Sequence, residues 1–175
     1  MNRRVSAFAG GVSLSFLSVW LGAAIFFSAV VAPSAFAALR SFQVPNMNEI
    51  AGTIVTRALS VINVSGVLIG LLLLVLTVIV ERKNIKASFL AGTFALMLMA
   101  LATAAGHWVI AARMRGLRVA MVAIDQVSPD DPRRIAFSNL HRYSVLSLTL
   151  AMLAALAAII LTGFRPLLGT GKTSS

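Results

Sequence analysis

Cysteine is absent from the 175 residues, which excludes disulfides, thiolate nucleophiles and the Cys-based zinc and iron–sulfur sites. The lack leaves the compartment undecided. Charge is scarce too: 11% of residues are charged and 59% are hydrophobic, against roughly 25% and 45–50% in soluble domains. A chain so poor in charge does not turn most of its surface to water. Acidic residues are the rarest, five Asp or Glu against fifteen Lys or Arg. None of the five lies inside a long apolar run. Ion- or proton-coupled transport usually works through an intramembrane carboxylate, so a self-contained coupled transporter fits poorly, while a passive pathway stays open. No serine has a His and an acid placed beside it, and Gly169-Thr170-Gly171-Lys172-Thr173 lacks the upstream glycine and strand of a phosphate loop. These absences give no footing to an enzyme.

What is present is a set of four charge-free intervals. They run from Val5 to Leu39, Ala58 to Val80, Ala87 to Ala112 and Tyr143 to Phe164. A helix needs about 20 apolar residues, at 1.5 Å each, to cross the hydrocarbon core. Each interval suffices for one crossing and none for two. Backbone groups in lipid must be satisfied within the segment or by a closed barrel. Runs such as Leu71-Leu72-Leu73-Leu74-Val75-Leu76 show no strand alternation. The expected fold is all-α, a polytopic four-transmembrane-helix bundle.

The expected organisation is a short N-terminal segment (1–12), a transmembrane domain (13–165) and a polar tail (166–175). The spans are read at 13–36, 52–80, 86–112 and 137–164. Met1-Asn2-Arg3-Arg4 followed by an apolar stretch and Ala35-Phe36-Ala37 imitates a signal peptide. The apolar stretch is about twice the 7–15 residues of a signal core, so it is read as an uncleaved first span. Pro45, Asn46 and Asn48 mark the first connection, Glu81-Arg82-Lys83-Asn84 a tight second one, and Pro129-Asp130-Asp131-Pro132 a break before the last span. Basic residues divide almost equally between the two faces. Arg3 and Arg4 before the first span outweigh Arg40 after it, which favours cytoplasmic termini in a bacterial inner membrane.

The two halves are weakly alike. Val31 to Arg40 can be laid on Val109 to Arg118, and Thr53 to Ser60 on Phe137 to Ser144, which puts Arg57 on His141 and Ser60 on Ser144. Such a duplication would give two tandem helical hairpins about an axis along the membrane normal. Gly66 and Gly70 form a GxxxG, a close-packing device in lipid. It serves packing within the chain or, alternatively, a homo-oligomer.

The net charge of +10 does not form a stripe on a soluble face. Nucleic acid is therefore not an expected partner; the bilayer and its anionic lipid headgroups are. A polar cluster is expected near one membrane face, built from Arg57, Ser60, Asn63, His107, His141 and Arg142. Arg57 is explained by snorkelling or by pairing with Glu49 or Asp125. His107 and His141 fall on the same membrane side and could together ligate haem iron or a divalent metal. The plainer reading gives His107 a carbonyl partner and leaves His141 among headgroups. Met97, Met99, Met114 and Met121 are read as packing.

Trp20-Leu21-Gly22, Phe26-Phe27, Ala32-Pro33, Phe36, Leu39 and Ala51-Gly52 follow one another as in the bacterial transmembrane-protein-205-like family. Phe137-Ser138-Asn139-Leu140-His141 resembles that family's Phe-x-x-Leu-His motif. The resemblance covers about Leu14 to Leu161. It departs at Ala111-Ala112-Arg113, where a proline is expected, and at Ser147, where an Asn is typical. It implies a four-helix membrane protein without an established activity, distantly similar to copper-resistance and haem-associated membrane proteins. The sequence therefore points to a non-enzymatic membrane protein with no required cofactor, whose polar cluster holds a lipid headgroup or small anion. The alternatives are a haem or metal protein using His107 and His141, and a small permease or export helper.

Overall fold

The charge-free intervals fold as helices, since an apolar segment can satisfy its own backbone only that way in lipid. The computed structural model describes residues 3–81, 87–121 and 124–164. Helix α1 (Arg3–Phe26) runs through one π-helical turn, Phe27–Val31, into α2 (Ala32–Ser41), and α3 spans Met47–Glu81. Helix α4 (Ala87–Ala104) runs through a second π turn, Ala105–Ile110, into α5 (Ala111–Met121). A 3-10 turn (Ile124–Gln126) precedes α6 (Pro132–Gly163). No strand occurs among the described residues. Four stretches are long and apolar enough to cross a membrane: Val5–Ser41, Met47–Val80, Phe89–Met121 and Pro132–Gly163. The protein is an all-helical, multi-pass bundle. Residues 82–86 of the second connection and the polar tail from 166 lie outside the described residues.

The helices overrun the spans read from sequence. At 35 residues, α3 is about 52 Å long, well beyond the roughly 30 Å hydrocarbon core. The excess gathers at the end where α2 and α5 finish and α3 and α6 begin. That end carries Arg57, Arg113, Arg115, Arg118, Arg133 and Arg142.

Helix α1 packs on α3 and α6, and α4 packs on the same two. The ring order is therefore α1, α3, α4, α6. The centre is apolar and tightly closed by small side chains: Leu17, Ala24, Leu73, Met99, Ala151 and Ala155 are almost completely buried. Large apolar residues such as Val19, Leu68, Val75, Leu101 and Leu153 face outward, as lipid-exposed positions should. Gly66 and Gly70 serve this interior. A Cβ at Gly66 would stand 2.7 Å from Thr103 Cγ2 and 3.0 Å from the Trp20 ring, and one at Gly70 would stand 3.0 Å from Ala100 Cβ. The small-residue face open to a homo-oligomer in the sequence is thus taken up inside one chain.

The π turns carry the likeness between halves into the backbone. In each, an N–H reaches back five residues, Ala32 to Phe27 and Ala111 to Gly106. Laying Val31 on Val109 places the first π turn on the second. Pro33 accounts for the first: lacking an N–H, and crowding the carbonyl four residues back, it sits best where the ladder is already opened. The second persists with Ala111 in place of that proline. The packing pairs α1–α3 and α4–α6, and α3–α4 and α6–α1, are those expected of two like hairpins about an axis along the membrane normal.

Caps fix where the helices stop. Gln43 takes a positive φ of 51° after α2; its N–H donates to the Arg40 carbonyl, while that of Val44 reaches Leu39. This is a Schellman arrangement built without glycine. Asp131 caps α6, its side chain accepting from the Arg133 N–H at 2.8 Å, with Pro132 as the first helical residue.

Candidate functional site

Three of the six residues expected to cluster are brought together. Ser60 Oγ lies 3.4 Å from His107 Nδ1, joining α3 to the second π turn. Asn63, one turn deeper on α3 and 3% exposed, lies against Gly106. A Cβ on Gly106 would approach the Asn63 amide nitrogen to 3.2 Å. Glycine there lets the π turn close on the amide, and the turn presents His107 towards Ser60. The His107 ring also meets Trp108 edge to face, centroids 4.8 Å apart. Nearby, Trp20 Nε1 donates to the Ile62 carbonyl at 2.9 Å, and Thr103 Oγ1 donates to the Met99 carbonyl at 2.9 Å. A short polar seam thus runs between α1, α3 and α4.

Arg57, His141 and Arg142 do not join it. All three are exposed, and none forms an ion pair with another described residue. Their depth explains this. Arg57 stands one turn before Ser60 and His141 one turn before the buried Ser144, so both leave the packed region where the helices emerge. The pairing of Arg57 with Glu49 or Asp125 is not made. Glu49 Oε1 instead faces Arg118 Nε at 3.4 Å, close enough to pair but not aligned as a hydrogen bond. Asp125 accepts from the Asn48 side chain at 2.6 Å and from its backbone N–H at 3.2 Å. The two histidines are not given a common partner. Among the described residues no group of three or more His, Asp or Glu side chains lies together.

Arg118 is the residue that the sequence did not single out. Beyond Glu49, its guanidinium sits over the Phe137 ring, 5.5 Å from the centroid. It also fills the space beside Gly52, where a Cβ would lie 2.6 Å from its Nη2. It therefore ties α5 to the starts of both α3 and α6. Gly52 was the available signal: a small residue one turn into a helix, beside an otherwise ordinary run of arginines.

A second feature lies on the outer surface. A groove of about 400 Å³ separates α5 from α6. One wall is Val109, Ile110 and Arg113; the other is Leu140, Tyr143, Leu146, Ser147 and Leu150. The α6 positions recur at three and four residues, one helical face. Ser147 Oγ is engaged with the Ala102 carbonyl at 2.7 Å.

The fold and this rim define a multi-pass helical membrane protein with a polar, arginine-rich end. The chain belongs to the family described as a domain of unknown function (DUF4149), whose sequence model matches residues 15–123. That match runs from α1 to the end of α5. No curated protein and no solved structure matches the chain.

Proposed function

We propose that the protein is a non-enzymatic component of a bacterial inner membrane, with cytoplasmic termini, whose arginine- and histidine-bearing rim engages anionic lipid headgroups. The carrying observation is the pairing pattern at this end. The carboxylates of Glu49, Asp125 and Asp131 are occupied by Arg118, Asn48 and Arg133, leaving Asp130 as the exposed carboxylate without an ion pair among the described residues. Arg57, His141 and Arg142 remain exposed and unpaired with described residues. Their depth supports the reading. Counting about 20 residues from Val80 and from Gly163 sets the hydrocarbon edge near residues 61 and 144 of α3 and α6. Arg57, His141 and Arg142 then stand at or just above it, where cations meet lipid phosphates. The likeness to the transmembrane-protein-205-like family agrees with such a bundle and adds no activity to it.

The test replaces Arg57, His141 and Arg142 singly by Ala and measures folded yield together with the lipids that co-purify. The expected result is unchanged yield with a smaller share of anionic lipid. Unchanged yield and unchanged lipid composition in all three variants would sink the reading. Reporters active on one side of the membrane, fused to the C-terminus, test the orientation.

A further inference from the structure

We infer that the groove between α5 and α6 holds one anionic phospholipid, its phosphate on Arg113 and one acyl chain laid along Leu146 and Leu150. The assignment rests on the lipid-facing reading of the rim and narrows it to a single built position.

The cation and the hydroxyl-bearing ring of the groove lie towards the rim, and its deeper lining is mostly apolar. Arg113 stands at the end nearer the rim, Tyr143 below it, and Leu146 and Leu150 deeper along α6. From Leu140 to Leu150 the groove follows about 15 Å of helix, about 9 Å of it below the hydrocarbon edge near residue 144. Counting about 20 residues from Ala87 brings the hydrocarbon edge of the third helix near residue 107. Arg113 lies about 9 Å above that level, in the headgroup layer, while Leu150 lies within the acyl layer. A phospholipid has the same order of parts.

Charge selects among occupants. Arg113 is exposed and forms no ion pair with a described residue, and no acidic side chain lines the groove. The Ser147 hydroxyl is already spent on Ala102, so the deep part asks only for apolar contact. A second copy of the chain docked face to face would bring a like charge to the same place. A phosphate supplies the opposite charge, and the Tyr143 hydroxyl adds a donor from the facing wall. The site belongs to one half of the molecule: the positions of Arg113 and Tyr143 correspond in the first hairpin to Ala35 and Leu59.

The experiment is native mass spectrometry of the detergent-released full chain titrated with phosphatidylglycerol and, separately, with phosphatidylcholine. The expected result is one phosphatidylglycerol per chain, bound roughly tenfold more tightly than phosphatidylcholine, as one charge-assisted contact can provide. Arg113→Gln should erase that preference. Leu146→Trp, which fills the groove at an exposed position, should lower occupancy by both lipids. Leu153→Trp, exposed on α6 but outside the groove, should leave the single site intact. Equal binding of the two lipids by the unaltered chain, a preference that survives Arg113→Gln, or occupancy that survives Leu146→Trp would each overturn the site. So would a dimer abolished by Leu146→Trp, which would assign the groove to a second copy. Lipid loss in the Arg57, His141 and Arg142 variants with none in Arg113→Gln would remove this site alone. The reverse pattern would keep the site and remove the broader rim reading.

Discussion

The two hairpins share a backbone and differ in where they keep their polar atoms. Each has a first helix interrupted by a π turn at the same register, packed on a long second helix. In the first hairpin the polar groups turn inward: Trp20, Asn63 and Gly66 meet in the seam with Thr103. The corresponding positions of the second hairpin are Leu98, Ser147 and Leu150; Ser147 still bonds inward to the Ala102 carbonyl, while Arg113 and Tyr143 stand on the outer groove. The two helical pairs differ in what they pack: one closes the bundle through a small residue and an indole; the other leaves a grooved outer surface open. Pro33 supports the π turn of the first half, whereas the second half lacks that proline and keeps its π turn through packing. Gly106 on Asn63 is that packing.

The sharpest way to break the comparison is to put a methyl group where the first hairpin is most closely packed. In Gly66→Ala the new Cβ meets Thr103 and Trp20, the nearest atom at 2.7 Å. An overpacked core typically loses about 1–3 kcal/mol, which should lower the thermal midpoint in detergent clearly. Gly22→Ala, on the same side of the molecule with nothing within 4 Å, should be neutral to within about 0.5 kcal/mol. Equal midpoints for the two variants would mean that the seam yields easily and that Gly66 is not required there.

The four crossings were legible because charge marks their ends, and a charge-free interval in lipid has one economical structure. The close-packing role of Gly66 was legible from spacing alone. The site was only partly so, and the π turns explain why. Each inserts a residue into the helix, and one extra residue rotates everything after it by about 100°. Positions on α5 therefore cannot be phased from α4. Arg118, reaching Glu49, Gly52 and Phe137, was indistinguishable in sequence from Arg113 and Arg115. Arg57 drew attention because it stands alone in its interval, yet isolation along the chain says nothing about which carboxylate is near. Ser60 and His107 met because both lie close to the hydrocarbon edge, a depth that residue counting does supply.

A smaller effect compares the hydrogen bonds that hold each hairpin together. Trp20 Nε1 donates from α1 to the Ile62 carbonyl of α3 at 2.9 Å, and Ser147 Oγ donates from α6 to the Ala102 carbonyl of α4 at 2.7 Å. Interhelical hydrogen bonds in membranes average about 0.6 kcal/mol. Ser147→Ala should cost about that much. Trp20→Phe should cost more, because the 3% exposed indole also leaves a void of the kind that adds to the loss. Unfolding midpoints in denaturing detergent check the order. A larger loss for Ser147→Ala would show that the second hairpin, not the first, depends on its polar tie.

The smallest expected effect lies at the start of α6, outside the membrane-crossing part of the chain. The Asp131 carboxylate accepts first from the Arg133 guanidinium and then from its backbone N–H, which together hold its pKa down to about 2 from an ordinary 3.8. A folded-state value below the unfolded one means the cap stabilises fully above about pH 4 and is lost as the pH falls through 2. The first helix turn should therefore loosen in that window. Hydrogen exchange at the Arg133 amide, corrected for its intrinsic rate, should show protection falling between about pH 4 and pH 2. Asp131→Asn keeps an N-cap acceptor but cannot titrate, so its protection should stay flat. The group is solvent-exposed and screened, so the change should remain local to α6 and leave the global midpoint nearly unmoved. The start of α3, preceded by Asn46 at a positive φ of 54°, takes its carboxylate from another element, Asp125 accepting from the Asn48 N–H at 3.2 Å, so Asp131→Asn should change the response of α6 and leave that of α3 as it is. An acid response at the Arg133 amide that survives in Asp131→Asn would mean that the start of α6 is opened by a wider event in the bundle and not by its own cap.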